Sequence, residues 1–244
     1  MPPPDASTDA GTEPAAAGAD CADTLDLRLP DELVALLAEG DRRAAAVEDD
    51  LLDGVGGWGP ATTAAGVFHL VPVRLERDLP LISRWMNDPA VAAFWELAGP
   101  EDVTAAHLRR QLDGDGRSVP CLGVLEGTPM SYWEIYRADL DPLARHYPSR
   151  PHDTGIHLLI GSVANRGRGL GTSLLRTVAD LVLDHRPSCA RVVAEPDLRN
   201  TPSVSAFLSA GFRYFAEVDL PDKRAALVVR DRALRNVLRP DHSQ

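Results

Sequence analysis

Residues 165–172 have the composition of an anion-binding loop. They read Asn-Arg-Gly-Arg-Gly-Leu-Gly-Thr and lie between an apolar stretch and a segment with helical periodicity. Backbone N–H groups at such a helix start point towards an anion, and glycines let phosphate oxygens come close. Arginines there can add charge-assisted hydrogen bonds. The residues expected to hold a phosphate-bearing ligand are Arg166, Gly167, Arg168, Gly169, Leu170, Gly171 and Thr172.

A dinucleotide-binding loop of the Rossmann type is the obvious competitor, because G-x-G-x-G resembles part of its fingerprint. That loop normally follows the first strand of a βαβ unit. Here it follows three expected strands, two of which form an apparent hairpin, and no G-K-[ST] sequence is present. The context therefore disfavours both a Rossmann loop and a P-loop.

His157 and Asp197 are candidates for proton transfer near this loop. His157 lies on the strand that precedes the loop, and histidine can accept a proton near neutral pH. Asp197 follows the next expected strand at its carboxyl end, where open α/β sheets place their sites. Two structural alternatives remain open. A histidine on an apolar strand can be a packed core residue, and the aspartate can be a turn or cap residue.

The loop resembles the R/Q-x-x-G-x-G/A loop of the GNAT superfamily, whose members bind the pyrophosphate of acyl-CoA there. Asn200 and Gly211-Phe212 resemble a second GNAT segment, in which the asparagine holds the pantetheine arm. Many members have a tyrosine seven residues after that asparagine to protonate the CoA thiolate, whereas this chain has Phe207. The resemblance implies acyl-CoA, either acetyl-CoA or succinyl-CoA, as co-substrate, no metal, and either another acid or departure of CoA as the thiolate.

Further segments are similar to the siderophore-biosynthesis acyltransferases within GNAT. They are RWMNDP from residue 84, Phe94-Trp95, YWEIY from residue 132, DTGIH from residue 153 and EPDLRN from residue 195. That subfamily acylates a nitrogen of lysine, N-hydroxylysine, N-hydroxyornithine or N-hydroxycadaverine for aerobactin-, mycobactin- or desferrioxamine-type chelators. The resemblance covers about residues 58–232 and implies that His157 and Asp197 are the catalytic pair.

The expected reaction is direct attack of an amine or hydroxylamine nitrogen on the thioester, with no covalent enzyme intermediate. Backbone N–H groups of the central strand would polarise the thioester carbonyl, and His157 or Asp197 would orient the nucleophile or remove its proton. An N-hydroxylamine is less basic than an alkylamine and arrives neutral. Such a substrate suits a site without the usual tyrosine.

Four residues are candidates for contact with this small-molecule substrate. Trp133, Glu134 and Tyr136 lie on the strand expected beside that of His157, and Trp95 is on a preceding segment. Neighbouring residues of a strand face opposite sides of the sheet, so Trp133 and Glu134 can share a pocket only if the strand bends. Trp95 can alternatively pack a helix against the sheet.

Two other functions remain open at this stage. One is a GNAT enzyme that acts on another small-molecule or protein amine, such as an aminoglycoside or a protein N-terminus. The other is a catalytically silent module that binds CoA without turnover.

The pattern of elements predicts an α/β fold with a central mixed β-sheet flanked by helices. The expected order of elements from residue 67 is β-α-α-β-β-β-α-β-α-β-β, with a short hairpin at Glu126-Gly127-Thr128-Pro129. We expect a GNAT acyltransferase domain over residues 61–235 and a C-terminal tail over residues 236–244.

Residues 1–60 form an acidic N-terminal extension with 14 acidic and 3 basic residues. The first 24 residues have few large apolar side chains and are expected to be disordered. Residues 31–52 have helical spacing of leucines and valines, and residues 54–59 resemble a linker. The extension could recruit enzymes of the same pathway, although an inert solvated tail is the simpler interpretation.

The composition disfavours several partners. Residues 61–244 hold 22 acidic and 22 basic residues, so no basic patch suggests nucleic acid. No secretory signal is recognised, and the apolar runs are too short to span a bilayer. Three widely spaced cysteines suggest buried free thiols. We expect a cytoplasmic protein without membrane partners.

Overall fold

The computed structural model describes residue 52 and residues 54–235. Eight strands form one sheet in the order β1-β2-β3-β4-β5-β6-β8-β7. The strands are β1 Ala61–Thr63, β2 Gly66–Pro72, β3 Ser118–Leu125, β4 Thr128–Arg137, β5 Thr154–Ile160, β6 Arg191–Ala194, β7 Arg213–Asp219 and β8 Arg224–Asp231. The helices are α1 Leu75–Met86, α2 Pro89–Trp95, α3 Glu101–Leu112, α4 Leu170–His185 and α5 Thr201–Ser209. The β5–β6 pair is parallel and the other pairs are antiparallel, which confirms the predicted mixed sheet.

Helix α2 is an element that the sequence analysis did not predict. The side chain of Asp88 caps it by accepting a hydrogen bond from the backbone N–H of Ala90 at 2.9 Å. Pro89 occupies the first helical position, where its fixed φ suits a helix and its missing N–H costs nothing. These two residues were the signal for the helix. Its last residue, Trp95, comes to lie beside the sheet.

The two faces of the sheet carry separate cores, and the side chains of β4 divide between them. Trp133 and Ile135 pack with α4 on one face, whereas Tyr132 packs with α1 and α3 on the other. Glu134 shares the face of Tyr132, because side chains alternate along a strand. In the β4–β5 ladder Glu134 is directly opposite His157, which places both side chains on one face.

Strands β5 and β6 pair only over a short distance. Their partners are Thr154 with Val192 and Gly155 with Val193, and no further pair of this ladder is formed among the described residues. Beyond Gly155 the two strands separate, so the later backbone groups of β5 have no strand partner on that side. The separation opens a cleft in the middle of the sheet.

The β3–β4 connection is a two-residue turn at Glu126 and Gly127. Both residues have positive φ angles, of 47° and 73°, and Leu125 pairs with Thr128. This is the geometry that twisted hairpins favour. The predicted hairpin is therefore confirmed, although Thr128 and Pro129 already belong to β4.

The segment expected to be a linker is packed against the domain. Residues Val55–Gly57 form a 3-10 turn, and Val55 and Trp58 are buried in the core that contains α4. Trp58 also stacks on His185, with ring centroids 5.7 Å apart. The expectations for residues 1–51, 53 and 236–244 lie outside the described residues.

Two of the three cysteines lie within the described residues. Cys121 and Cys189 are buried free thiols, as expected, while Cys21 is outside the described range. No helix within residues 54–235 is long and apolar enough to cross a bilayer.

Candidate active site

The imidazole of His157 lies between two buried carboxylates. Its Nδ1 is 2.9 Å from Oε2 of Glu134, and its Nε2 is 2.5 Å from Oε1 of Glu195. Glu134 comes from β4, and Glu195 follows directly after β6. The imidazole therefore connects two elements across the cleft in the sheet. A third of its side-chain surface remains exposed.

Glu134 is fixed by several donors besides His157. Its Oε1 is 2.5 Å from Nε2 of His107 and accepts hydrogen bonds from Gln111 at 2.6 Å and from the hydroxyl of Tyr132 at 2.9 Å. His107 and Gln111 are both on α3. A buried carboxylate with this many partners is held in one orientation.

The same contacts determine the charges of the group. Burial lowers the pKa of His157, but Glu195 and Glu134 raise it by more, to about 10. Burial raises the pKa of Glu195, but His157 and Lys223 outweigh it and lower that pKa to about 2. The pKa of Glu134 is likewise lowered, because the hydrogen bonds from His107 and His157 outweigh its burial. These contacts favour the imidazolium form of His157 at neutral pH.

Asp197 lies beside this group but has a different partner. Arg199 donates to its carboxylate from the backbone at 2.7 Å and from the guanidinium at 2.6 Å. The hydrogen bonds from Arg199 lower the pKa of Asp197. The described structure gives no direct hydrogen bond between Asp197 and His157. Asp197 therefore stabilises the turn before α5, which is the structural role considered for it from the sequence.

A cavity of about 290 Å³ opens over His157. It brings together five residues that the sequence analysis selected, namely Trp95, Glu134, His157, Asp197 and Asn200. Residues of α2, α3, β4, β5, α5 and the β7–β8 turn all contribute to its walls. We call this the acceptor cavity.

A second cavity of about 800 Å³ lies along the glycine-rich loop. Its walls include Arg166, Gly167, Gly169, Gly171 and Thr172 from the loop, whereas Arg168 and Leu170 are not among the lining residues. It shares Phe94, Trp95, Leu158, Asn200, Ser203 and Phe207 with the acceptor cavity, so the two spaces meet. We call this the loop cavity.

The loop has the geometry of an open anion site. Gly167 and Gly169 have φ angles of 70° and 76°, and no atom lies within 4 Å of a Cβ built on either glycine. No side chain caps α4, which starts at Leu170 and has no acidic residue in its first turn. The first N–H groups of this 16-residue helix can therefore donate to an anion. The loop fits the phosphates of a bound nucleotide-type ligand.

The two arginines of the loop have different roles. Arg166 forms an ion pair with Asp88 at 2.9 Å and donates to the carbonyls of Ile160 at 3.0 Å and Gly161 at 3.3 Å. It ties the loop to the start of α2 and to the end of β5. The side chain of Arg168 is exposed and makes no hydrogen bond or ion pair with the part of the chain that the structure describes. Of these two arginines, Arg168 is therefore the one whose guanidinium has no partner among the described residues and can meet a phosphate.

Asn200 and Phe207 lie where the two cavities meet. The side chain of Asn200 caps α5 by accepting from the N–H of Ser203 at 3.2 Å. Phe207 is buried and packs edge-on against Phe212, with ring centroids 5.1 Å apart. The position at which the GNAT resemblance leads one to expect a tyrosine hydroxyl is thus an apolar wall here.

The remaining candidates are not equally placed. Trp133 is fully buried on the opposite face of the sheet, where its indole N–H donates to Ser131 at 2.9 Å, and it lines neither cavity. The predicted substrate contact of Trp133 is excluded by strand alternation. Tyr136 is on the correct face, and its hydroxyl donates to Glu195 at 2.8 Å beneath the imidazole. Trp95 lines both cavities and meets His157 edge-on.

Three residues of the site were missed from the sequence. Glu195 was within the EPDLRN motif, but only Asp197 was selected from it. His107 was hidden within a helix. Lys223 is on the β7–β8 turn, and its Nζ is 3.6 Å from Oε1 of Glu195. One signal for Lys223 was available, because it is the only lysine in the sequence.

The arrangement can bring a nucleophile to an acyl donor. The loop cavity can hold a phosphate-bearing donor, and the adjoining acceptor cavity offers carboxylates that can bind an amine or accept its proton. Among residues 54–235, no group of three or more His, Cys, Asp and Glu residues is placed to hold a metal.

The chain matches the family model described as an acetyltransferase (GNAT) domain over residues 74–220. It is 39% identical over 155 residues to the N(6)-hydroxylysine O-acetyltransferase of Escherichia coli. That match covers 64% of this chain and 49% of the relative, so the chain spans about half of that protein's length. It is 37% identical over 168 residues to the lysine N-acyltransferase MbtK of Mycolicibacterium paratuberculosis, covering 67% of this chain and 76% of the relative.

A solved structure has a similar fold. AAC(6')-Ib, solved in complex with paromomycin and acetyl-CoA, superposes with a TM-score of 0.64 at 26% identity. The superposition covers 71% of this chain and 98% of that one.

Proposed function

Because the chain belongs to the GNAT acetyltransferase family, we propose that it is an acyl-CoA-dependent N-acyltransferase of hydroxamate siderophore biosynthesis. It transfers an acyl group from acetyl-CoA or succinyl-CoA to the amine or N-hydroxylamine of a lysine- or cadaverine-like substrate. The family resemblance seen in the sequence is confirmed. The names of the two curated relatives, which act on hydroxylysine and lysine, support this choice of acceptor.

The observation that carries the proposal is the meeting of two cavities beside His157. The loop cavity would hold acyl-CoA, with its phosphates at Gly167, Gly169 and the start of α4. The acyl end would then lie along β5, where backbone groups beyond Gly155 lack a strand partner on the β6 side. Such groups can bind the pantetheine amides and polarise the thioester carbonyl.

The acceptor nitrogen would enter the acceptor cavity and attack the thioester directly. His157 is charged, so it does not take the proton in the resting site; it holds Glu134 and Glu195 in place. Asp197 and Glu195 are ionised, and either carboxylate can accept a hydrogen bond from the nitrogen or hydroxyl of the nucleophile. A cationic acceptor beside Glu195 would compete with His157 for that carboxylate. Glu195 would then stabilise the imidazolium less, and the pKa of the imidazole would fall.

The form in which CoA departs depends on Phe207, the apolar residue where the two cavities meet. A phenyl ring donates no proton, the hydroxyls of Tyr132 and Tyr136 are already bonded to carboxylates, and both ring nitrogens of His157 are bonded to carboxylates as well. CoA would therefore leave as the thiolate, and the proton that the attacking nitrogen loses would pass to the carboxylate of Asp197 or Glu195 and then to solvent. A weakly basic hydroxylamine suits this site, because it needs no deprotonation before attack.

The proposal retains three expectations from the sequence. The acyltransferase domain spans residues 61–235, the protein is cytoplasmic, and the acidic N-terminal extension could contact other enzymes of the pathway.

The test is release of CoA thiol from acetyl-CoA and succinyl-CoA. The acceptors are N-hydroxylysine, N-hydroxycadaverine, lysine and cadaverine, with an aminoglycoside as the alternative amine. The proteins are the wild type, His157→Ala and His69→Ala. His69 is exposed on β2 and lines neither cavity, so it serves as a matched control.

We expect turnover with a hydroxylated acceptor, about 100-fold or more slower kcat in His157→Ala, and normal rates in His69→Ala. Turnover with the aminoglycoside alone would move the assignment to that class of amine. Binding of CoA without thiol release for any acceptor would show a silent CoA-binding module instead.

A further inference from the structure

Lys223 occupies an unusual place in this chain. It is the single lysine among 25 basic residues, and the other 24 are arginines. Its side chain lines the acceptor cavity. An ammonium is a compact charge with three donors, whereas a guanidinium is a planar fork. The one position where this chain uses the compact cation is therefore in the substrate cavity.

The N–H donors of the Lys223 ammonium form no hydrogen bond within the described residues. Its Nζ is 3.6 Å from Oε1 of Glu195, which is beyond hydrogen-bond distance, and no other ion pair of Lys223 occurs within the described residues. Glu195 already has Nε2 of His157 at 2.5 Å and the hydroxyl of Tyr136 at 2.8 Å. With 21% of its side chain exposed, Lys223 is reachable from the cavity.

The neighbouring residue carries the opposite charge. Asp222 is exposed, lines the same cavity and has no ion-pair partner among residues 54–235. The other carboxylates of the cavity are paired: Glu134 with His107 and His157, and Asp197 with Arg199. Asp222 and Lys223 are thus the two charged side chains of the cavity that form no hydrogen bond within the described residues. Both are fixed on one turn, which the N–H of Leu220 closes by donating to the carbonyl of Lys223 at 2.9 Å.

An α-amino acid has the complementary pair of charges on one carbon. On the basis of the acyl transfer proposed above, we propose that Lys223 and Asp222 bind the α-carboxylate and α-ammonium of the acceptor. The site thereby selects a lysine- or ornithine-type amino acid over the diamine that lacks the carboxylate. A diamine would place only a cation at this turn, where Asp222 attracts it and Lys223 repels it. Like charges repel each other in a partly desolvated cavity, so this turn disfavours binding of the diamine.

A matched pair of acceptors tests this selection. N-hydroxylysine and N-hydroxycadaverine differ only in the α-carboxylate. The measurement is kcat/KM for each acceptor with acetyl-CoA, and the selectivity is the ratio of the two values. The variants are Lys223→Met, Lys223→Glu and Asp222→Asn. Arg224→Gln is the control, since Arg224 is the next residue, is 65% exposed, pairs with Glu217 and does not line the cavity.

We expect the wild type to prefer N-hydroxylysine. Lys223→Met should lower the selectivity about tenfold or more, the size of one lost charge-assisted contact. Lys223→Glu should invert the preference, Asp222→Asn should weaken binding of both acceptors, and Arg224→Gln should leave the ratio unchanged. Melting temperatures of all variants would check that they are folded.

Two outcomes would overturn the proposal. One is a wild type that prefers N-hydroxycadaverine. The other is an equal loss with both acceptors in Lys223→Met, because a lysine that only neutralises Glu195 would affect both alike. Absence of thiol release from every acceptor would instead refute the proposed acyl transfer itself, so the two failures are distinguishable.

Discussion

Nε2 of His157 lies 2.5 Å from Oε1 of Glu195, although β5 and β6 have already separated where this contact is made. This ion pair links the two strands at a point where backbone hydrogen bonds no longer join them. It links β5 to the residue after β6 across the cleft, and the carboxylate stabilises the charged imidazole. Several measurable consequences depend on it.

Glu195→Gln should lower the pKa of His157 from about 10 towards its ordinary value near 6.5, because a neutral amide no longer stabilises the imidazolium. The imidazole proton resonances of His157, followed by NMR as a function of pH, report this directly. We also expect kcat to fall about tenfold or more. Glu217→Gln is the control, since Glu217 is exposed and pairs with Arg224. An unchanged titration of His157 would contradict the assignment of its charge to Glu195.

Folding stability should respond to pH through the same residue. The pKa of His157 is raised from 6.5 to about 10 in the folded state, so its contribution is complete below about pH 6.5 and is lost as the pH rises towards 10. The difference in unfolding free energy between the wild type and His157→Gln should shrink over this range in urea titrations. A difference that stays constant from about pH 6 to 10 would exclude a charged His157. The lowered pKa of Glu195 acts at the other end, where stability is lost as the pH falls from 4.5 towards 2.

Substitutions of the two loop arginines should affect different properties, namely the affinity for CoA at Arg168 and the folding stability at Arg166. Arg168→Gln should raise the Kd for CoA about threefold to tenfold and flatten its dependence on salt, with no change in melting temperature. Arg166→Gln should lower stability by about 1–2 kcal/mol, because it loses Asp88 and two backbone carbonyls. Calorimetric titration with CoA and thermal unfolding of both variants check this. Equal effects of the two changes on CoA affinity and on melting would show that the roles are not distinct.

Gly155→Ala tests the support beneath the imidazole. A Cβ on Gly155 would lie 2.0 Å from Cζ of Tyr136, so the ring would have to move and its hydrogen bond to Glu195 would break. We expect a loss of about 1–3 kcal/mol, measured by urea unfolding. Gly57→Ala is the matched control, because no atom lies within 4 Å of its added Cβ and its φ is not positive. If Gly155→Ala proves as stable as Gly57→Ala, the packing of Tyr136 over this glycine does not contribute to folding stability.

Local signals predicted most of the fold. The glycines at 167, 169 and 171, the period of the apolar residues in α4 and the Glu126-Gly127 turn each depend on a few neighbouring residues. Helix α2 was missed because its seven residues are too few to show a period, although Asp88-Pro89 is a good start signal.

The site was less predictable, because its contacts join distant parts of the chain. The choice between Glu195 and Asp197 depends on how the chain turns after β6, which spacing alone does not show. Lys223 reaches the cavity because β8 lies between β6 and β7 in the sheet, which brings the β7–β8 turn beside the end of β6. His157 was placed correctly, but its charge could not be inferred without knowing that two carboxylates face it.

The position of Lys223 makes the protein convenient for chemical labelling. Reagents that modify primary amines can react with this ε-amine and with the chain's terminal amine, and the sequence holds no other lysine. A ligand in the acceptor cavity would shield Lys223 and leave the terminal amine as an internal reference. Mass spectrometry of labelled peptides would then read occupancy of the cavity at a single residue, without turnover and with any candidate acceptor.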